Sequence, residues 1–200
     1  MGRHTVLRFW ESELPADLCE LILAEARQRE TTQAGLRPDA GEDYVDESIR
    51  RTGIFFWDPG HWISGLTMHY ARLANAEIWN YTLSVSQGVQ FGRYGEGGTY
   101  DWHKDEFDQP FGDEAPEIWR GQSRKLSVAV NLSPPDDYEG GELLFKDTWG
   151  QPVEDAETMG KIRQQGSVVV FPSYIVHTVT PVTRGTRCSL VSWILGPPFA

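Results

Sequence analysis

The stretch Tyr81-Thr-Leu-Ser-Val-Ser-Gln-Gly-Val-Gln-Phe-Gly-Arg-Tyr94-Gly-Glu-Gly-Gly-Thr-Tyr100-Asp-Trp-His103-Lys-Asp105 decides how this chain is read. It opens with β-prone runs, breaks at Gly95-Glu-Gly-Gly98, and resumes as Thr99–His103. Glycine clusters between short alternating runs are turn chemistry between strands. From Tyr81 onward the pattern repeats: Tyr81–Val85, Val89–Tyr94, Thr99–His103, Lys125–Leu132, Glu142–Phe145, Ser167–Phe171, Ile175–Thr180 and Thr186–Leu195. Ser133-Pro-Pro-Asp-Asp, Gly140-Gly141 and Gly185 punctuate them.

Upstream the period changes. Pro15 to about Glu30 carries Leu14, Leu18, Leu21, Ile22 and Ala26 at helical spacing, with proline in the first turn. Thr31 to Ser48 is polar, acidic and read as a loop, and Thr52–Trp57 as a strand. After Asp58-Pro-Gly60, a second helix is expected from about His61 to Trp79, burying Ile63, Leu66, Tyr70, Leu73 and Ala74. Eight short strands behind two helices predict a mainly β fold. The expectation is a double-stranded β-helix, or jelly roll, with both helices on one sheet. No repeat or low-complexity linker divides the 200 residues, so one domain is expected over 1–200, its motif-bearing core at about 81–198.

Composition narrows the partners. A formal charge of −11 and pI near 4.9 disfavour nucleic acid and anionic membranes. No apolar run approaches the ~20 residues of a membrane span, and Met-Gly-Arg-His-Thr-Val has no secretory h-region. Cys19 and Cys188 are too far apart to suggest a disulfide framework and fit a reducing cytoplasm. Cys188 should face away from Arg187 and Ser189, its strand neighbours.

The chemistry concentrates in His103-Lys-Asp105. On an extended strand, positions i and i+2 share a face, so imidazole and carboxylate would point together. A second histidine, His177, follows the apolar run Val168-Val-Val-Phe-Pro-Ser-Tyr-Ile-Val-His177. Two histidines and a carboxylate suit a non-haem Fe(II) centre with open positions, and no thiolate nearby suggests structural zinc. Read alone, a core histidine satisfied by a carbonyl accounts for His177 equally. Ten residues on, Arg187-Cys-Ser189 turns back from His177, which in a hairpin would put the guanidinium within about 10 Å of the imidazole. Arg187 there could bind a diacid through its planar fork; pairing with one of the many acidic side chains is the alternative. Asp101 shares the His103 face and is a candidate support for it. The polar run Asp105–Gln122 reads as a lid or substrate loop or a surface insert, with Trp119 a candidate contact. Trp102, Trp119, Trp149 and Trp193 read mostly as core, substrate contact being the alternative for Trp119. Arg50, Arg51 and Arg93 read as solvated charges, with positioning of a polypeptide backbone or an acidic substrate as the alternative, and His4, His61 and His69 as non-ligands.

These segments resemble the Fe(II)/2-oxoglutarate-dependent dioxygenases, in the prolyl-hydroxylase-like branch with the PKHD-type hydroxylases. The matching stretches are Arg93–Asp105, Arg124–Ser133, Tyr138–Leu143, Gly166–His177 and Val179–Trp193, within about residues 50–198. The resemblance implies that His103, Asp105 and His177 hold Fe(II) and are catalytic. Arg187 would bind the far carboxylate of 2-oxoglutarate, with Tyr94 and Ser189 as further contacts. O₂ would be the oxidant and ascorbate an accessory reductant. A tyrosine common near Val130–Asn131 in that branch is missing here. The activity implied is hydroxylation of a prolyl residue in a protein or peptide. Hydroxylation of a free amino acid or small metabolite is the alternative, and a catalytically silent binding jelly roll the remote one.

Overall fold

The computed structural model describes residues 6–35, 46, 48–147, 149–153 and 156–199. His4, the Met1-Gly2 start and the middle of the 31–48 loop lie outside the described residues.

The chain alternates its side chains across a seven-stranded sheet. In order, its strands are β1 (Arg8–Trp10), β10 (Val168–Pro172), β7 (Ser123–Asn131), β13 (Arg187–Gly196), β5 (Ser86–Tyr94), β4 (Gly53–Trp57) and β2 (Thr32–Gln33). Every neighbouring pair in this sheet is antiparallel. A second sheet, β3 (Arg50–Arg51), β6 (Thr99–His103), β11 (His177–Val179) and β9 (Leu143–Phe145), carries the two histidines. A ribbon of β12 (Val182–Gly185) with β8 (Tyr138–Gly140) completes the jelly roll.

One face of the large sheet is apolar and covered. Val89 and Phe91 of β5, Leu126, Val128 and Val130 of β7, Val168 and Val170 of β10, and Leu190 and Ile194 of β13 form one buried cluster. Two helices pack on it: α1 (Ala16–Ala26) through Cys19, Ile22, Leu23 and Ala26, and α2 (Trp62–Ala74) through Ile63, Tyr70, Ala71 and Ala74. Each large apolar side chain buried this way contributes roughly 1.5–3 kcal/mol. Cys188 joins this helix-side cluster, opposite Arg187, as strand alternation requires.

The helix phases differ from the sequence reading. Leu21 and Leu73 are 57% and 42% exposed, because the buried stripes run through Cys19-Ile22-Leu23-Ala26 and Ile63-Thr67-Tyr70-Ala74. α2 ends in a π turn over Asn75–Trp79, capped by Asn80 in the left-handed region. Tyr81–Val85 is irregular, held to the end of β13 by the Ser84 and Leu195 amides, rather than a strand. A short helix, α3 (Ala156–Ile162), was not anticipated.

Gly140 and Gly141 show why glycine is needed where β8 leads toward β9. Both have positive φ, +69° and +64°. A Cβ on Gly140 would lie 2.1 Å from the Pro181 carbonyl oxygen, and one on Gly141 3.1 Å from Arg187 Cδ.

Candidate metal and co-substrate centre

His103 and His177 face each other across the β6–β11 pair, in direct register, with ring centroids 4.2 Å apart. Each Nδ1 is tied to a carbonyl two residues back, Asp101 O at 2.7 Å and Ile175 O at 2.9 Å. A ring that donates from Nδ1 keeps its lone pair on Nε2, the tautomer a metal requires. Both Nε2 atoms turn toward Asp105: His103 lies 3.8 Å from Oδ1 and His177 3.6 Å from Oδ2. One ligand atom from each residue falls within 4.8 Å of the others. Tyr100 stacks on His103 at 3.5 Å and Phe171 meets His177 edge-on at 4.8 Å.

Asp105 does not reach the cluster by strand alternation, because β6 ends at His103. A bend brings it in, fixed by its amide on Ser173 O at 2.9 Å and by Arg124 Nη1 on its own carbonyl at 3.0 Å. Ser127 Oγ, fully buried on β7, donates to Oδ2 at 2.7 Å and lies 3.0 Å from Ser173 Oγ. Two ligands therefore come from the small sheet, while the third is braced against the large one.

The electrostatics suit metal ligation. Burial pushes His103 down to about 3, with His177 acting the same way, so the ring stays neutral. Burial alone would raise Asp105, but His177, His103, Arg124 and the Ser127 hydrogen bond hold it below the usual carboxylate range. Asp101 supports His103 through its backbone carbonyl, not its carboxylate, which instead accepts the Trp102 amide at 2.7 Å.

Arg187 comes from across the sandwich. The expected hairpin with His177 does not form: β11 lies in the small sheet, and β13 pairs with β5 and β7 in the large one. Arg187 nonetheless lines the same cavity as His103, Asp105 and His177. It is 5% exposed, and among the described residues no carboxylate pairs with it. Its Nη1 donates to Ser189 Oγ at 3.3 Å, and its guanidinium lies 5.5 Å from the centre of the Tyr94 ring. A buried guanidinium without a counter-charge is costly and calls for an anion. Tyr94 pairs with Arg187 and Ser189 with Gly92, so all three project from adjoining strands into one end of the cavity. Asn131, where the resembling branch has a tyrosine, is turned away: its Nδ2 binds Ser133 O at 2.9 Å and Arg163 O at 2.6 Å.

Outside the cavity lies a wider cleft that shares Arg50, Gln90, Tyr100, His103, Asp105 and Trp193 with it. Trp119 and Phe111 of the 105–122 stretch form one wall. That stretch is closed on itself where the Phe111 amide donates to the Gln122 carbonyl and the Gly121 amide donates to the Phe111 carbonyl. Arg50, read as a solvated charge, is 7% exposed and hydrogen-bonds Gln90 Oε1 at 3.1 Å. Trp193 lines the cleft, while Trp102 and Trp149 are exposed rather than core. His61 pairs with Glu25 at 3.0 Å, well away from the cluster. Ser127, Ser173 and Tyr100 were missed. Only Ser127 had a sequence signal, standing in phase with Ala129 and Asn131 on β7.

The profile of the 2OG-Fe(II) oxygenase superfamily matches residues 89–195, and the chain belongs to that family. Its cofactors are Fe(II) and 2-oxoglutarate, used with O₂. The donor set fits both: two imidazoles and a carboxylate for the metal, and an unpaired buried guanidinium for a dicarboxylate. A PKHD-type hydroxylase of Alteromonas mediterranea is 35% identical over 104 residues, 52% of this chain and 41% of the relative. The chain thus spans about four tenths of that relative's length. A prolyl-4-hydroxylase from Pseudomonas putida is 27% identical with a TM-score of 0.67, covering 94% of this chain and 91% of that one. A prolyl hydroxylase from Trichoplax adhaerens, solved in complex with a hypoxia inducible factor peptide fragment, shares the fold: TM-score 0.69, 16% identity, 94% of this chain and 83% of that one. Among the described residues no helix is long and apolar enough to cross a membrane, and both cysteines are free.

Proposed function

We propose that this chain is an Fe(II)- and 2-oxoglutarate-dependent hydroxylase acting on a prolyl residue of a protein or peptide, folded as a single domain over residues 1–200. The observation that carries the reading is the convergence, in one cavity, of the His103–Asp105–His177 face with the unpaired Arg187 guanidinium. A binding module has no use for a diacid anchor beside three metal donors.

His103, Asp105 and His177 would hold Fe(II) on one face and leave the remaining positions open. Arg187, with Ser189 and Tyr94, would take the far carboxylate of 2-oxoglutarate. When bound, the pair supplies the oxidising chemistry, one oxygen atom of O₂ entering a C–H bond as 2-oxoglutarate goes to succinate and CO₂. The protein's part is orientation and exclusion of water. Phe171, Leu143, Val179 and Val191 wall the cavity with apolar surface. Ser127 and Ser173 keep the Asp105 carboxylate aimed, and the carbonyls of Asp101 and Ile175 keep both imidazoles in the ligating tautomer.

A polypeptide substrate is supported by the breadth of the cleft outside the cavity and by its aromatic walls. The Trichoplax relative, solved with a peptide fragment, and the Pseudomonas prolyl-4-hydroxylase lend the same support. The two free thiols support a reducing, cytoplasmic setting. The test is succinate release with Fe(II) and 2-oxoglutarate, driven by proline-containing peptides against free amino acids, with the product checked by mass for one added oxygen. Stimulation by free amino acids alone would move the assignment to a small-metabolite hydroxylase.

A further inference from the structure

Three buried side-chain nitrogens among the described residues have no hydrogen-bond partner: Arg50 Nε, Trp119 Nε1 and Trp193 Nε1. They come from distant parts of the sequence, yet all three residues line the cleft outside the metal cavity. Buried donors are almost always satisfied, and leaving one unmade costs ~1–3 kcal/mol. Three residues lining one cleft therefore carry unmet donors that a ligand's acceptors would satisfy.

The cleft wall does not supply those acceptors itself. Gln90 Oε1 is taken by Arg50 Nη2 at 3.1 Å, and Gln87 Oε1 by Arg124 Nε at 2.6 Å. Asp58 and Glu106 also line the cleft, but neither accepts from any of the three nitrogens. The Arg124 guanidinium lies 3.9 Å from the centre of the Trp193 ring and 4.6 Å from that of Phe107. Trp119, on the 105–122 stretch, meets Phe111 at 5.9 Å. A short 3-10 turn, Glu117–Trp119, sets it there, with its amide on Pro116 O at 2.8 Å.

We propose that Trp119 is a specificity-determining residue, its indole N–H donating to a main-chain carbonyl of an extended polypeptide in this cleft while Trp193 and Arg50 serve neighbouring carbonyls. An extended peptide suits the arrangement because it carries a carbonyl at every residue, whatever its side chains. The inference rests on the hydroxylase reading and adds the substrate's form and the residue that reads it.

The experiment uses a pool of blocked pentapeptides with proline fixed at the centre and the flanking positions randomised. Succinate release is measured on the Fe(II)- and 2-oxoglutarate-loaded protein and on its Trp119→Phe variant, which keeps an aromatic ring beside Phe111 and removes the N–H donor. Loss of one hydrogen bond predicts a fall of about tenfold in pool-stimulated kcat/KM, carried mainly by KM. Release without peptide and the Kd for 2-oxoglutarate should stay at wild-type values. As an independent readout, the pool is titrated into Zn(II)-loaded protein with ¹⁵N-labelled tryptophan. The indole resonance missing from the variant should move on addition of the pool. Equal pool-stimulated kcat/KM in the two proteins, or an indole resonance that stays in place, overturns the role of Trp119 while the hydroxylase reading stands. A wild-type protein stimulated by free amino acids but not by the pool overturns both.

Discussion

Replacing Ser127 with alanine isolates how the metal centre is aimed. The Ser127 hydroxyl is fully buried and touches only Asp105 Oδ2, at 2.7 Å, and Ser173 Oγ, at 3.0 Å. It contacts neither metal nor co-substrate in the proposed arrangement, so its effect must pass through the carboxylate. Removing a hydrogen-bond partner of a metal ligand weakens metal affinity by ~10–100-fold, which at 1.36 kcal/mol per decade is roughly 1.4–2.7 kcal/mol. The same deletion leaves a buried carboxylate and the Ser173 hydroxyl short of a partner, a loss of ~1–3 kcal/mol in the metal-free fold. Mn(II) binding followed by electron paramagnetic resonance would read the first quantity, and urea unfolding with chelator the second. The Kd for 2-oxoglutarate on the metal-saturated variant should stay near wild type, because Arg187 is untouched. A Ser127→Ala variant that binds Mn(II) as tightly as wild type would refute the argument that this hydroxyl positions Asp105.

His103→Ala should bring substrate-dependent succinate formation to background; retained turnover would remove the iron assignment. Arg187→Ala should raise the 2-oxoglutarate concentration needed for half-maximal rate by roughly 10–100-fold, the worth of charge-assisted hydrogen bonds to a carboxylate, and an unchanged requirement would take Arg187 out of the site. Saturating divalent metal at 100 times its Kd should stabilise the protein by roughly 2.7 kcal/mol against urea; His177→Ala should abolish that gain, and a gain that persists would place the metal elsewhere. Gly140→Ala puts a Cβ 2.1 Å from the Pro181 oxygen at φ +69°, so thermal unfolding should show a loss of ~1–3 kcal/mol or more, about 2–4 °C in Tm per kcal/mol for a chain of this size.

Period-two alternation made the long strands legible. β5, β7, β10 and β13 are long enough to repeat, and each appears within a few residues of where its pattern places it. β2, β3 and β8 have two or three residues and no room for a period, so nothing local announces them. The helix stripes slipped because Leu21 and Leu73 are apolar but lie off the packed face. Cys19 and Thr67 occupy it instead and carry little hydrophobic signal. His103, Asp105 and His177 were legible as types at a spacing, though the bend that delivers Asp105 depends on Ser173, which is distant in sequence. Arg187 was legible as a candidate for the same cavity as His177, but no hairpin brings the two together. It is the closing of one sheet over the other that joins them. Arg50 was set aside because a charge near a glycine-containing acidic loop has no local sign of burial.

The alternation along β13 divides one short segment between two kinds of mutational sensitivity. Arg187, Ser189, Val191 and Trp193 line the cavity of His103, Asp105 and His177, while Cys188, Leu190 and Ile194 belong to the helix-covered core. Randomising the odd positions should yield well-folded but silent proteins; randomising the even ones should yield insoluble chains. A single-residue insertion or deletion within the strand would exchange the two sets at once. Diversity in this segment must therefore come by substitution, and natural or laboratory variants that keep both solubility and turnover should be depleted of length changes between Arg187 and Ile194.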